Sequence, residues 1–152
     1  PFENYTYYDE GRELKSKTIK GQGSGDSLDF YTFYIWGYND QYIIAKIENL
    51  ENINEDLKNK IEELDEFDTD LSETDRDSII DINNQIRSLA PANTMITTYT
   101  YMPLVGVTSV TDLRGRSVLY EYDGLNRLIR IRDHKHKILE EYQYHYANPD
   151  NN

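Results

Sequence analysis

The chain has no cysteine, so disulfides, thiolate nucleophiles and cysteine-based zinc sites are excluded. No apolar run approaches the roughly 18 residues that a membrane-spanning helix needs. Basic residues are scarce beside acidic ones: Lys and Arg total 16 against 28 Asp and Glu, for a formal net charge of −12. Such a surface repels phosphate backbones and anionic lipid, so no nucleic acid is expected as a partner. Tryptophan occurs once and phenylalanine four times, yet tyrosine occurs 14 times. An apolar ring with a polar tip suits half-buried sheet surfaces and interfaces, so a thin, layered core is expected.

Three segments differ in character, and a fourth, residues 148–152, is a polar tail. Residues 1–49 read as β-hairpins. NYTYY (residues 4–8) puts Tyr5 and Tyr7 on one face by the two-residue period of a strand. GQGSGDS (residues 21–27) reads as a loop. Two aromatic and β-branched runs within residues 29–49 flank Gly37-Tyr38-Asn39-Asp40, the signature of a hairpin. Residues 50–92 lose the aromatics and gain acid. Leu50, Ile53, Leu57, Ile61 and Leu64 fall on one helix face; after a break at Asp68-Thr69-Asp70, so do Ile79, Ile82, Ile86 and Leu89. Ser72 with Asp75 reads as an N-cap, and Pro91 as a stop. The spacing predicts an inserted acidic helical hairpin. Residues 93–147 return to β, with turns about every ten residues at Pro103, Asp112, Asp123 and Asp133, the rhythm of an antiparallel meander. The fold class expected is α+β, mainly β: a twisted antiparallel meander of hairpins carrying the helical insertion. The chain opens at Pro1 with strand-like residues and is expected to be a piece of a longer protein.

Tyr99-Thr100-Tyr101 is followed 21 residues later by Tyr120-Glu121-Tyr122, and Tyr142-Gln143-Tyr144 comes 22 residues after that. A fixed period near 20 marks a repeat whose units stack because none buries enough surface alone. Tyr122-Asp123-Gly124-Leu125-Asn126-Arg127-Leu128 resembles the YD-repeat motif, Tyr-Asp-x-x-Gly-Arg-Leu, of the Rhs/YD-repeat family, with Asn126 in place of the usual glycine. Tyr8-Asp9-Glu10-Gly11-Arg12 is similar to a degenerate copy. The resemblance covers the C-terminal segment closely and the N-terminal one loosely; the helical middle has no counterpart in it. It implies a sheet spiralling into a hollow shell in a secreted or bacterial cell-surface protein, with toxin-related members. It also implies an architectural role for Tyr99, Tyr101, Tyr120, Tyr122, Asp123, Gly124, Arg127, Tyr142 and Tyr144, with tyrosine rings laddered across strands.

Nothing in the sequence carries a catalytic pattern. Glu62/Glu63 and Glu140/Glu141 are sequence neighbours that point apart. Asp133, His134 and His136 fall in a turn. Asp65 to Asp70 lacks the glycine and terminal glutamate of a calcium loop. GQGSGDS lacks the ending of a phosphate loop. The expected function is therefore a non-catalytic structural segment, without cofactor or metal, whose partner is the rest of its parent protein. Two other readings stand beside it. Trp36, Tyr34 and Tyr38 form a candidate surface for a glycan or protein ligand, and the isoleucine stripe of the second helix could pair copies of the chain. Raw sheet edges predict self-association unless the helices cover them.

Overall fold

The computed structural model of the protein describes residues 3–7, 14–20, 28–50 and 52–145, with side chains from residue 32 onward. Nine strands among these residues form one antiparallel sheet in which each strand pairs with the next in the chain. They are β1 (Glu3–Tyr7), β2 (Leu14–Lys20), β3 (Leu28–Gly37), β4 (Tyr42–Glu48), β5 (Met95–Met102), β6 (Gly106–Thr111), β7 (Ser117–Tyr122), β8 (Leu128–Asp133) and β9 (Ile138–Glu141). The Tyr8–Arg12 motif copy, the glycine-rich loop and the 148–152 tail lie outside the described residues.

Between β4 and β5, which are neighbours in the sheet, the chain builds α1 (Glu55–Glu62), a 3₁₀ turn (Glu63–Glu66) and α2 (Glu73–Leu89). The first helix starts later than its apolar spacing suggests, because Asn54 caps it by accepting from the Leu57 N–H at 2.8 Å. Leu50 is still buried, at the end of β4, and Ile53 packs on the core from the link. The second helix opens on Ser72 and Asp75, which cap each other's backbone reciprocally. It ends at Leu89, two residues before Pro91, and no helix among the described residues is long and apolar enough to cross a membrane.

The helices cover one face of the sheet, and the chemistry of that face changes from strand to strand. Register aligns Phe33, Ile47 and Ile96 in one row, all at most 2% exposed, under Leu57, Ile61 and Leu64. The next row runs from Ile35 and Ala45 to Thr98, Thr111 and Ser117, so aliphatic side chains give way to small hydroxyls. Beyond them Glu121, Arg130 and Glu141 align across β7, β8 and β9. Helix α2 crosses this gradient. Its Arg76 reaches Glu121, its Asn83 accepts from the Thr98 hydroxyl, and its Arg87 donates to the carbonyls of Ile96 and Asp112 at 3.1 and 2.6 Å. Ile79 and Ile86 are wholly buried in this contact, so the isoleucine stripe serves the chain's own core and offers a second copy little surface.

Tyr38 fastens the insertion to the sheet. Its hydroxyl accepts from the Tyr101 N–H at 2.8 Å and faces the carbonyls of Phe67 and Leu64 at 3.1 and 3.3 Å. The Asp65 carboxylate in turn takes the Tyr38 N–H. Gly37 makes room, since a Cβ there would fall 2.8 Å from Asp65 Oδ1 and from Ile44. Burial, partly offset by the hydrogen bond from Tyr101, pushes the phenol pKa up. Replacing Tyr38 with Phe leaves the Tyr101 N–H without an acceptor, and urea unfolding is expected to show a loss of about 1–3 kcal/mol. An exposed control, Leu113→Ser, should shift it by less than about 0.5 kcal/mol.

Candidate functional site

The second face of the sheet carries the tyrosine pairs. Tyr99 lies opposite Val110 and Tyr101 opposite Val107; Tyr120 lies opposite Ile131 and Tyr122 opposite Leu128. Among the repeat tyrosines the expected cross-strand ladder is therefore corrected, although Tyr101 does stack across strands on Tyr42 of β4. Tyr99/Tyr101 and Tyr120/Tyr122 sit on β5 and β7, with the aliphatic side chains of β6 and β8 opposite them, and Tyr142/Tyr144 follow the end of β9. Tyr99 and Tyr101 stack on each other along β5 with ring centroids 6.4 Å apart, and Tyr101 stacks on Tyr42 at 4.8 Å.

What recurs is a bond made by the second tyrosine of each pair. Tyr101 donates its hydroxyl to the Ile43 carbonyl at 3.1 Å, Tyr122 to Val107 at 2.8 Å and Tyr144 to Leu128 at 2.7 Å. Each acceptor lies at the start of the preceding strand, so each phenol ties one hairpin to the hairpin before it. The strand register steps by one residue just before the ring, at Thr100/Tyr101 and Glu121/Tyr122. Gly106 is required beneath Tyr122, because a Cβ there would fall 2.5 Å from the phenol oxygen. Partial burial raises the Tyr122 and Tyr101 pKa values.

The same register step occurs at Ile35/Trp36 in β3. By the two-residue spacing and by this step, Tyr34 and Trp36 are placed in β3 as Tyr99 and Tyr101 are in β5. Both are half-buried. Tyr38 does not share their surface: it is 6% exposed and its hydroxyl holds the insertion, so it is removed from the candidate ligand-binding set with Trp36 and Tyr34.

A second device repeats every 10 or 11 residues. At Asp112, Asp123 and Asp133 the backbone N–H donates to the carbonyl four residues on, at 2.9–3.0 Å, and the Oδ1 accepts the N–H groups two and four residues ahead. The fourth residue of each turn is left-handed: Gly115 at φ 78°, Asn126 at 60° and His136 at 61°. The fifth is basic. Arg116 and Arg127 grip the aspartate Oδ2 through Nε and a terminal nitrogen, Arg127 at 2.8 and 2.6 Å. Arg127 also lies over the Tyr144 ring, 4.3 Å from its centroid, joining the turn to the tyrosine tie of the next strand. Gly124, expected to matter in the motif, would bring a Cβ within 4 Å of nothing and has no positive φ; the conformational demand falls on Asn126.

These turns hold their carboxyls ionised. The Arg116 N–H at Asp112, and the Arg127 side chain and N–H at Asp123, keep both pKa values below the ordinary 3.8. At Asp133 desolvation opposes this, and the N–H groups of Lys135 and Lys137 outweigh it. Glu121, 6% exposed, resembles it: burial raises the pKa, but hydrogen bonds from Arg132 at 2.6 Å and Arg130 at 2.8 Å bring it below the ordinary 4.5.

Among the described residues, no group of three or more His, Cys, Asp and Glu could hold a metal ion. His136 is engaged with Asp77 at 3.0 Å, Glu141 with Arg130, and Glu140 with the Tyr142 hydroxyl. A polar cavity of about 280 Å³ lies beside the β3–β4 turn, lined by Tyr38, Asn39, Gln41, Asp65, Asp68 and Pro103. No protein-family model matches the chain, nor does any curated protein or solved structure.

Two outcomes are expected. Asn126→Val forces a β-branched residue into the left-handed region and should cost about 1–2 kcal/mol, whereas Gly124→Ala should add about 0.4–1 kcal/mol by restricting the unfolded chain; paired urea titrations read both. The depressed carboxyl pKa values also set a pH limit. A folded-state pKa below the unfolded one gives stability that is complete above the unfolded value and lost as pH falls through the folded one. Urea midpoints should hold from pH 7 to about pH 5 and fall below about pH 4, with Asp123→Asn flattening part of the fall.

Proposed function

We propose that the chain is a non-catalytic structural module of the Rhs/YD-repeat kind, in which two-stranded units add sheet to a larger shell or cap on a secreted or cell-surface protein. One observation carries this reading. In three successive units the second tyrosine hydroxyl is spent on the carbonyl of the preceding unit. Side chains that could recognise a ligand are thus used to join units, and the aspartates that could serve as acids are used to fold turns. The helical insertion covers the opposite face, where a repeat sheet alone would expose Phe33, Ile47 and Ile96. The rest of the parent protein is the natural partner of such a module.

A second reading draws on the open face: Tyr34, Trp36, Tyr99 and Tyr120 are half-buried there, and aromatic rings on a sheet can stack on sugars. One experiment weighs the two. If units are interchangeable, a second copy of residues 113–133 placed after Asp133 rebuilds the aspartate turn at each junction and extends the sheet by two strands. The lengthened chain is expected to unfold cooperatively with a larger denaturant slope, while Trp36 fluorescence stays flat across a glycan panel. Collapse of the lengthened chain would remove the structural reading; a saturable Trp36 response to one glycan class would favour the second.

A further inference from the structure

Strand β9 occupies the place of a first strand in its hairpin, as β3, β5 and β7 do, and each of those three is flanked by a second strand on its far side. Among the described residues no strand flanks β9 there. The Tyr142 N–H, just past the end of β9, donates to the Ile129 carbonyl at 2.9 Å, so antiparallel alternation turns the backbone N–H and C=O of Glu141 outward and, carried one step beyond Tyr142, those of Gln143 as well. Ile138, Leu139, Tyr142 and Tyr144 are 39–52% exposed, which gathers four large apolar side chains along one edge. Glu140 and Glu141 lie between them.

We infer that the outer edge of β9 accepts an added strand from another polypeptide, one that alternates aliphatic and basic residues. Charge and precedent within the sheet choose this occupant. Strand β8, Leu-Ile-Arg-Ile-Arg-Asp, lies between two first strands that each carry glutamate, and its Arg130 bridges Glu121 at 2.8 Å on one side and Glu141 at 2.7 Å on the other. Its aliphatic residues fill the spaces beside Tyr120 and Tyr122. A strand of the same chemistry outside β9 would meet the same pair of demands, acid on one face and tyrosine on the other. A second copy of β9 would not, because antiparallel pairing would set Glu140 and Glu141 of both copies in one short seam, on chains of net charge −12. Main-chain hydrogen bonds would supply affinity and the alternating side chains selectivity.

The inference rests on the structural reading above only for the hairpin periodicity. It is tested with the intact chain and a labelled peptide carrying the sequence of residues 127–133, Arg-Leu-Ile-Arg-Ile-Arg-Asp, followed by fluorescence anisotropy. Saturable binding is expected, falling at least tenfold when the peptide arginines become glutamates. Gln143→Pro should abolish it, since the alternation turns that N–H away from β8; Glu140→Lys, an exposed charge reversal beside the Glu141 row, should weaken binding of the arginine peptide without depending on a proline. No binding, equal binding of both peptides, or binding indifferent to Gln143→Pro and Glu140→Lys would overturn the inference. So would sedimentation showing the chain paired with itself through β9. Absent peptide binding beside a well-folded 113–133 duplication removes this inference alone; a collapsed duplication beside intact peptide binding removes the structural reading alone.

Discussion

A carboxylate that satisfies the backbone two and four residues ahead of it sets the geometry of the C-terminal half of the sheet. Without it, each connection between β6 and β9 would leave N–H groups to water and the strands free to slide, and a slip of one residue would carry every tyrosine to the helix-covered face. With it, Asp112, Asp123 and Asp133 close turns of one shape at alternate ends of the sheet. The tyrosine ties then fall in register: the phenols of Tyr122 and Tyr144 reach the preceding strand because the turns have fixed how far each strand is advanced. Arg127 links the two devices physically, gripping Asp123 while lying on the ring of Tyr144.

The other half of the architecture solves a burial problem. An antiparallel sheet can leave one face to solvent but must cover the other if that face is aliphatic. The helical insertion does so, and its own sequence follows the gradient beneath it. Leu57, Ile61 and Leu64 meet the aliphatic rows of β3 and β4, Asn83 meets the hydroxyls, and Arg76 meets Glu121. Arg87 works through neutral acceptors. It donates to three carbonyl groups and the Asn83 side chain, bolting the end of α2 to β5 and to the turn at Asp112. Gly115 lies against it, 3.2 Å from Arg87 Cδ at the position of a Cβ.

Much of this was legible in the sequence. The three aspartate turns, the β3–β4 hairpin, the Ser72 cap and the two apolar stripes rest on local rules, and local rules survive folding. Three things were not legible. Aliphatic partners for the tyrosines depend on which strand lies between two others, and a one-strand pattern cannot show this. The role of Tyr38 depends on a contact with Phe67 and Leu64 from a separate element. The roles of Asn83 and Arg87 carry no local signal: Asn83 meets the buried Thr98 hydroxyl and Arg87 the carbonyls of Ile96 and Asp112, because the cover spans hydroxyl and aliphatic strands alike. Asn126 belongs with the legible part: it stands where the motif has glycine, asparagine enters the left-handed region more readily than most residues, and its φ is 60°.

The placement of the insertion bears on the order in which the molecule assembles. Every pairing in the sheet joins strands adjacent in the chain, and all but one of the connections are short; the exception is β4 with β5, where Ile47 meets Ile96 across the whole insertion. Closing that long loop costs more entropy than closing a hairpin. The β3–β4 hairpin and the strands from β5 to β9 can zip up from their own tight turns, each on a fast, local timescale. The β4–β5 seam therefore carries the largest closure cost in the sheet and depends most on the helices packed beneath it, so it is expected to form after the hairpins and to be the line along which the native molecule first parts.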